Sequence, residues 1–466
     1  MDLFLIYSKS NFNFMKQIAV FFKKKNHKIS FLLASEIFKK KINITKDTEV
    51  FLYKDILDTS LRQQIKIRNN FFKLFVYYLW SMSLVGKENF KRINDKNKKF
   101  LFKSANFLLS KKIKKIFVCE DGIGSDFNSI ILLSAAKYLK IPIYNIPFGS
   151  GTEEDIEFSL KTKQSQKLLI KTHGFNLLLS KLFLKKWLKK GKFKNVIMYP
   201  LELIISMEMN QISLRNPWII NGGYASKIFA ENDISKNQYI SEGINRERIV
   251  NSGSPYSDYI YNLKRIKTIK KTIRTNKLIL KNKVSILISW PPNYFDYDHQ
   301  NKDFKNYENF IELFLNFLIS LKNVCLNISF HPGVSENEKK LFKSYNLNIK
   351  NEWVLNLIPK NDIYLSYASS LIRWSLLAGK VAVNYDLYNL NLNYQPWKKV
   401  EMNHGYYCFN RFEDLKKKII MLTSNVNNLK KILKLQSNPL PNLGLFDGKC
   451  LDRIHDNIYK KNVQKF

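Results

Sequence analysis

Between residues 324 and 385 three short apolar runs rich in β-formers are separated by segments of helical length, an alternation that restricts the chain to a parallel sheet covered by helices. The first run, 324–330, stops at His331-Pro332-Gly333, where proline removes a ladder donor and glycine frees the turn. The second, 363–367, stops at Ala368-Ser369-Ser370, which opens a helix expected over 371–378. Gly379 ends that helix, and 381–385 is the third strand. Ligands of open parallel sheets sit beyond the carboxyl ends of the strands, where His331, Pro332, Ser369 and Ser370 fall. Backbone N–H groups at a helix start, with two hydroxyls beside them, suit a phosphate or carboxylate. Arg373, four residues beyond Ser369, shares its helix face and is a candidate to assist. The alternatives are that Ser369 only caps the helix and that His331 is a turn histidine bonded to backbone.

The same alternation occupies the first half. Strands are expected over 3–7, 29–34, 49–53, 116–119 and 141–146, with helices over 13–24 and 128–139. Residues 71–84 form a more apolar helix expected to pack on several sides. The strand at 116–119 ends in EDGIGS, residues 120–125. Two adjacent carboxylates at a strand tip point to a general base: Asp121, oriented by Glu120, with Gly122 and Gly124 leaving space for a substrate. The alternative is a turn in which Asp121 caps the next helix.

A chain of 466 residues exceeds one ordinary core, and its 45% hydrophobic content supplies enough material for two. A run of lysines and arginines without an apolar face follows residue 258. It divides the chain into a first domain, 1–260, a linker, 261–283, and a second domain, 284–450. The amino-terminal segment reads as a strand rather than a signal peptide, and no run approaches the roughly 18 apolar residues of a membrane span. Four cysteines far apart, with no CxxC, indicate neither a zinc site nor a disulfide framework; Cys119 and Cys325 lie in strand-like runs and are expected to be packed, reduced thiols. A cytoplasmic protein is expected. The net charge of +39 favours nucleotides, polyanions or anionic membranes. The lysines are dispersed and no nucleic-acid module is recognisable, so no nucleic-acid partner is expected. Residues 175–194, FNLLLSKLFLKKWLKKGKFK, read as a basic amphipathic helix, either a solvated surface helix or one docked peripherally on the inner face of the membrane.

Two α/β domains joined by a short linker resemble the GT-B architecture, two Rossmann-like domains facing each other across a cleft. The segment KIFAENDI…SEGINRERIVNSGSPYSD, 227–258, resembles the end of the first domain in GT-B glycosyltransferases and UDP-N-acetylglucosamine 2-epimerases. The combination of Glu120-Asp121-Gly122, His331-Pro332 and Ser369-Ser370 resembles bacterial sialyltransferases and polysialyltransferases and, more loosely, capsule Kdo transferases. Asp126 departs from that pattern, which has an aromatic residue after Gly-Ser. The resemblance implies an inverting, metal-independent transferase acting in surface polysaccharide assembly. It would move a CMP-activated sialic-acid-like or Kdo-like sugar to a glycan or lipid-linked glycan, with no cofactor beyond that donor. In it the acidic motif supplies the base, and the histidine and serine pair hold the CMP phosphate. The alternative is a UDP-sugar enzyme, either a transferase or a 2-epimerase.

Overall fold

A computed structural model of the chain describes residues 1–39, 48–61, 70–122, 126–148, 170–189, 195–212, 214–263, 283–293, 295, 303–331, 333–367, 369–388, 405–435 and 443–460. These residues form two compact units. The first comprises Met1–Ala230 and Lys236–Asn251, the second Glu231–Ser235 and Ser252–Phe466.

In the first unit β1 (Asp2–Ile6), β2 (Ile29–Leu33), β3 (Glu49–Leu52), β4 (Lys115–Val118) and β5 (Ile143–Asn145) alternate with helices. A separate antiparallel pair, β6 (Ile170–Lys171) and β7 (Val196–Ile197), follows, and β8 (Lys227–Ala230) and β9 (Ile249–Asn251) complete the main sheet. Its order is β3-β2-β1-β4-β5-β8-β9, every pairing parallel. Strands covered on both faces read as nearly continuous apolar runs, and all five residues of β1 and of β2 are buried. Helix α1 (Lys9–Lys24) starts at Ser8, whose side chain accepts from Asn11 N–H in a capping box.

Helix α2 (Phe71–Val85) departs from expectation: only Tyr77, Trp80 and Ser81 are buried. Helix α3 (Lys87–Ser110) joins α4 (Phe127–Tyr138) in the core of this unit. The basic segment expected to be one helix over 175–194 is helical as α5 (Gly174–Phe183), then makes a short 3-10 turn. Trp187 there is buried and donates its indole N–H to Glu208 Oε1 at 2.7 Å, so it is core rather than surface. Residues 190–194 lie outside the described residues. Helix α6 (Leu201–Met209) carries Glu208.

The second unit holds β10 (Val284–Trp290), β11 (Val324–Phe330), β12 (Asn348–Ile349), β13 (Ile363–Ser366), β14 (Val381–Tyr385) and β15 (Tyr406–Phe409), in the order β12-β11-β10-β13-β14-β15, again all parallel. β10 and β11 pair over seven residues, from Val284 opposite Val324 to Trp290 opposite Phe330, so both end together. Trp290, Phe310, Phe314, Tyr367, Tyr385 and Phe412 pack ring against ring in the core. Cys119 is buried as expected, whereas Cys325 is exposed.

Residues 252–260, expected in the first domain, pack within the second unit. The Asp258 carboxylate accepts from the N–H groups of Cys450 and Leu451 at 3.0 and 2.8 Å, and Arg453 Nε donates to the Ser252 carbonyl at 2.7 Å. Most of the expected linker, residues 264–282, lies outside the described residues.

Candidate functional site

The strand order of the first unit reverses direction between β1 and β4, the place where open α/β sheets leave a crevice. Tyr7 follows β1 and Glu120 stands two residues beyond β4. Tyr7 Oη donates to Glu120 Oε2 at 3.2 Å, so the pair bridges that switch point. Glu120 is half-buried, and loss of hydration pushes its pKa above the usual glutamate value; the Tyr7 hydrogen bond offsets part of this. Burial and the neighbouring Glu120 charge drive the Tyr7 phenol well up, so it stays a proton donor.

Asp121, expected as the base, points inward and is only 1% exposed. Its Oδ2 accepts from Ala225 N–H at 2.6 Å and its Oδ1 from Asn145 Nδ2 at 3.1 Å. Asn145 also donates to Asn221 Oδ1 at 2.9 Å. The carboxylate thus ties the end of β4 to β5 and to the 221–225 loop. Burial raises its pKa against the opposing pull of these donors and of Arg248. Nor does it cap the following helix. Asp126 does: its Oδ1 accepts from Ser129 N–H at 3.1 Å, and its Oδ2 takes protons from Tyr53 Oη and Ser129 Oγ at 2.9 and 2.6 Å. That accounts for an aspartate where the resemblance has an aromatic residue.

Gly122 does not open space for a sugar. A Cβ there would lie 2.5 Å from the Ile220 carbonyl oxygen and 2.6 Å from that of Ile219, so the glycine lets backbone approach backbone. Gly124 lies outside the described residues, as does Pro332.

In the second unit the order reverses between β10 and β13. His331 continues β11, its N–H donating to the Trp290 carbonyl at 2.9 Å, and its ring is exposed. Nδ1 accepts from Gly333 N–H at 3.1 Å, which leaves the neutral ring's proton on Nε2, free to be offered outward. Partial desolvation by the surrounding protein lowers the ring's pKa and favours this neutral form. His331 thus bonds backbone through one nitrogen, as the turn reading expects, and carries its proton on the other. Ser369 is half-buried, accepting from Leu371 N–H and Tyr364 Oη, each at 3.2 Å. It acts as the cap. Ser370 beside it is exposed.

Arg373 does not face solvent beside the serines. Its side chain is 1% exposed, 4.5 Å over the Trp374 ring, and its Nε lies 3.2 Å from Glu231 Oε1. It braces the short helix α7 (Ile372–Leu377) from within. Tyr7 and Glu231 are the two residues that the motifs do not reveal. Among the described residues no group of three or more His, Cys, Asp or Glu side chains is placed to hold a metal ion.

No protein-family model matches the chain, and no curated protein matches it significantly by sequence. Solved structures do. The UDP-GlcNAc 2-epimerase from Neisseria meningitidis bound to UDP-GlcNAc is 14% identical, with 99% of this chain covering 100% of that one at a TM-score of 0.50. A putative UDP-N-acetylglucosamine 2-epimerase from Listeria monocytogenes is 10% identical, with coverage of 98% and 95% and a TM-score of 0.52. The wall teichoic acid polymerase TagF is 11% identical, with coverage of 98% and 88% and a TM-score of 0.52. The fold is of the GT-B type. At these identities the likeness carries the architecture, and the chemistry has to come from the residues.

Proposed function

We propose that this GT-B protein is a nucleotide-sugar-dependent enzyme, a glycosyltransferase in which Glu120 is the acid–base carboxylate. The observation that carries this reading is the Tyr7–Glu120 pair at the topological switch point of the first sheet. It is a carboxylate with a raised pKa and reach to solvent, beside a fully engaged Asp121. The roles expected from sequence are thereby exchanged, Asp121 holding the turn and Glu120 reacting. In the reaction Glu120 takes the proton of an acceptor hydroxyl, the oxygen forms a bond to the anomeric carbon, and the bond to the donor phosphate breaks on the opposite side. Within the second unit, His331 Nε2–H and Ser370 are the candidate donors to a nucleotide phosphate.

The UDP-GlcNAc bound by the Neisseria neighbour supports a nucleoside diphosphate donor. A CMP-linked ulosonic acid is the second reading, favoured by the trio of EDG, His-Pro and Ser-Ser. An epimerase would use the same carboxylate without an acceptor. Calorimetry with UDP, CDP and CMP, followed by turnover of UDP-GlcNAc with and without glycan acceptors, separates the three. Absence of binding to every nucleotide would overturn the proposal.

A further inference from the structure

Helix α2 leaves its apolar residues in water: Phe71 is 82% exposed, and Phe72, Phe75 and Leu79 are exposed beside it. Helix α5 does the same with Phe175, 68% exposed, Leu178 and Leu182. The two helices are fastened together. Trp80 Nε1 donates to Asn176 Oδ1 at 2.8 Å, Tyr77 Oη donates to the Phe183 carbonyl at 3.0 Å, and the Tyr77 and Phe183 rings meet edge-on at 6.2 Å. Aromatic and leucine side chains on adjoining helices form an apolar face of the kind that marks an interaction site.

Lys73 and Tyr77, on another side of α2, line a pocket of about 200 Å³ with Lys137, Lys186, Glu208 and Tyr224. Lys137 Nζ lies 3.8 Å from the centre of the Tyr224 ring, and the Arg215 guanidinium 5.4 Å from it. Glu208 is the one carboxylate lining the pocket; it already accepts from Trp187 and pairs with Lys186 at 3.0 Å. Burial and the charges of Arg215 and Lys186 press the Lys137 pKa down, a crowding of cations that an anion would relieve.

We infer that the α2–α5 face docks the protein on an anionic lipid bilayer, its phenylalanines and leucines entering the interface while the lysine pocket takes a lipid phosphate. Charge selects this occupant over a second copy. A chain carrying +39 repels its own kind and is drawn to a negative surface. Lys181 and Lys185 flank the leucines of α5, the composition of a helix lying in an interface. Among the described residues no helix is long and apolar enough to cross a membrane, so docking rather than spanning is the geometry offered. This surface is independent of the nucleotide chemistry.

The test uses the full chain with vesicles of phosphatidylcholine alone and of phosphatidylcholine mixed with phosphatidylglycerol. Co-sedimentation with the mixed vesicles should exceed that with neutral ones by about tenfold or more. Combining Phe72→Ser, Phe75→Ser and Leu182→Ser should reduce binding by about tenfold or more, and combining Lys73→Ala with Lys137→Ala should weaken binding to the mixed vesicles by about tenfold while leaving binding to neutral ones unchanged. The three apolar side chains are exposed, so an unchanged melting temperature and unchanged nucleotide binding confirm an intact fold. Equal binding to both vesicle types, no binding to either, or wild-type binding by the apolar variant would overturn the inference. So would full displacement by inorganic phosphate, which would give the pocket to a soluble anion. A dimer in ultracentrifugation that the apolar variant dissociates, without vesicle binding, would give the face to a second copy and equally overturn it.

Discussion

The carboxyl edges of the two sheets are built in opposite ways. In the first unit the edge is a buried network: Asp121, Asn145, Asn221 and the Ala225 amide lock together, a glycine is pressed against backbone, and one carboxylate, Glu120, is left partly open beside Tyr7. In the second unit the edge is open: His331 and Ser370 are exposed, and the buried support, Arg373 with Glu231, lies behind them. A rigid, desolvated edge tunes a pKa, whereas an open edge of donors captures a ligand. On the proposed function, the first edge would carry the chemistry and the second the binding.

The sharpest way to break this comparison is Glu120→Gln. Turnover should fall by ~10²–10⁴-fold with nucleotide affinity unchanged, measured by product formation and calorimetry. If affinity fell instead, the first edge would be a binding edge. Next, His331→Ala should weaken nucleotide binding by about tenfold or more, since a hydrogen bond to a charged phosphate contributes roughly 1.5–3 kcal/mol, and should leave the turnover of bound donor nearly unchanged. Asp121→Asn should lower stability by about 1–3 kcal/mol, because an amide places its own donor against a buried N–H, and denaturant melts would show it. Gly223→Ala should act in the same direction, since its Cβ would overlap the Asp121 carbonyl.

The smallest effect concerns pH. Glu120 must be ionised to act as a base, so activity should appear only as pH rises through its raised pKa. The Tyr7 hydrogen bond stabilises the carboxylate. Tyr7→Phe should therefore move the acid limb of the profile to higher pH, by ~1 unit or less.

The sheets were legible because strands buried on both faces read as unbroken apolar runs, as at 3–6, 116–118 and 381–383. The restart after residue 283 was equally plain. What could not be read was which carboxylate of Glu120-Asp121 faces inward. That depends on Asn145 and on Ala225, the latter 104 residues away, and on Tyr7, 113 residues away. Strand adjacency could have supplied the missing signal, since a tyrosine just after β1 and an acid just after β4 become neighbours when those strands pair. Helix α2 misled because an apolar composition states that burial is favourable, not which surface provides it. Arg373 misled similarly: spacing placed it on the Ser369 face, but its partner Glu231 is remote in sequence.

Whether Glu120 rather than Asp121 reacts is tested most directly by the pH–rate profile of donor turnover for the wild type and Glu120→Gln under identical conditions. The wild type should show an acid limb above the ordinary glutamate range, and Glu120→Gln should lose that limb together with most of its turnover. An unchanged acid limb in Glu120→Gln, or turnover close to that of the wild type, would contradict that role for Glu120.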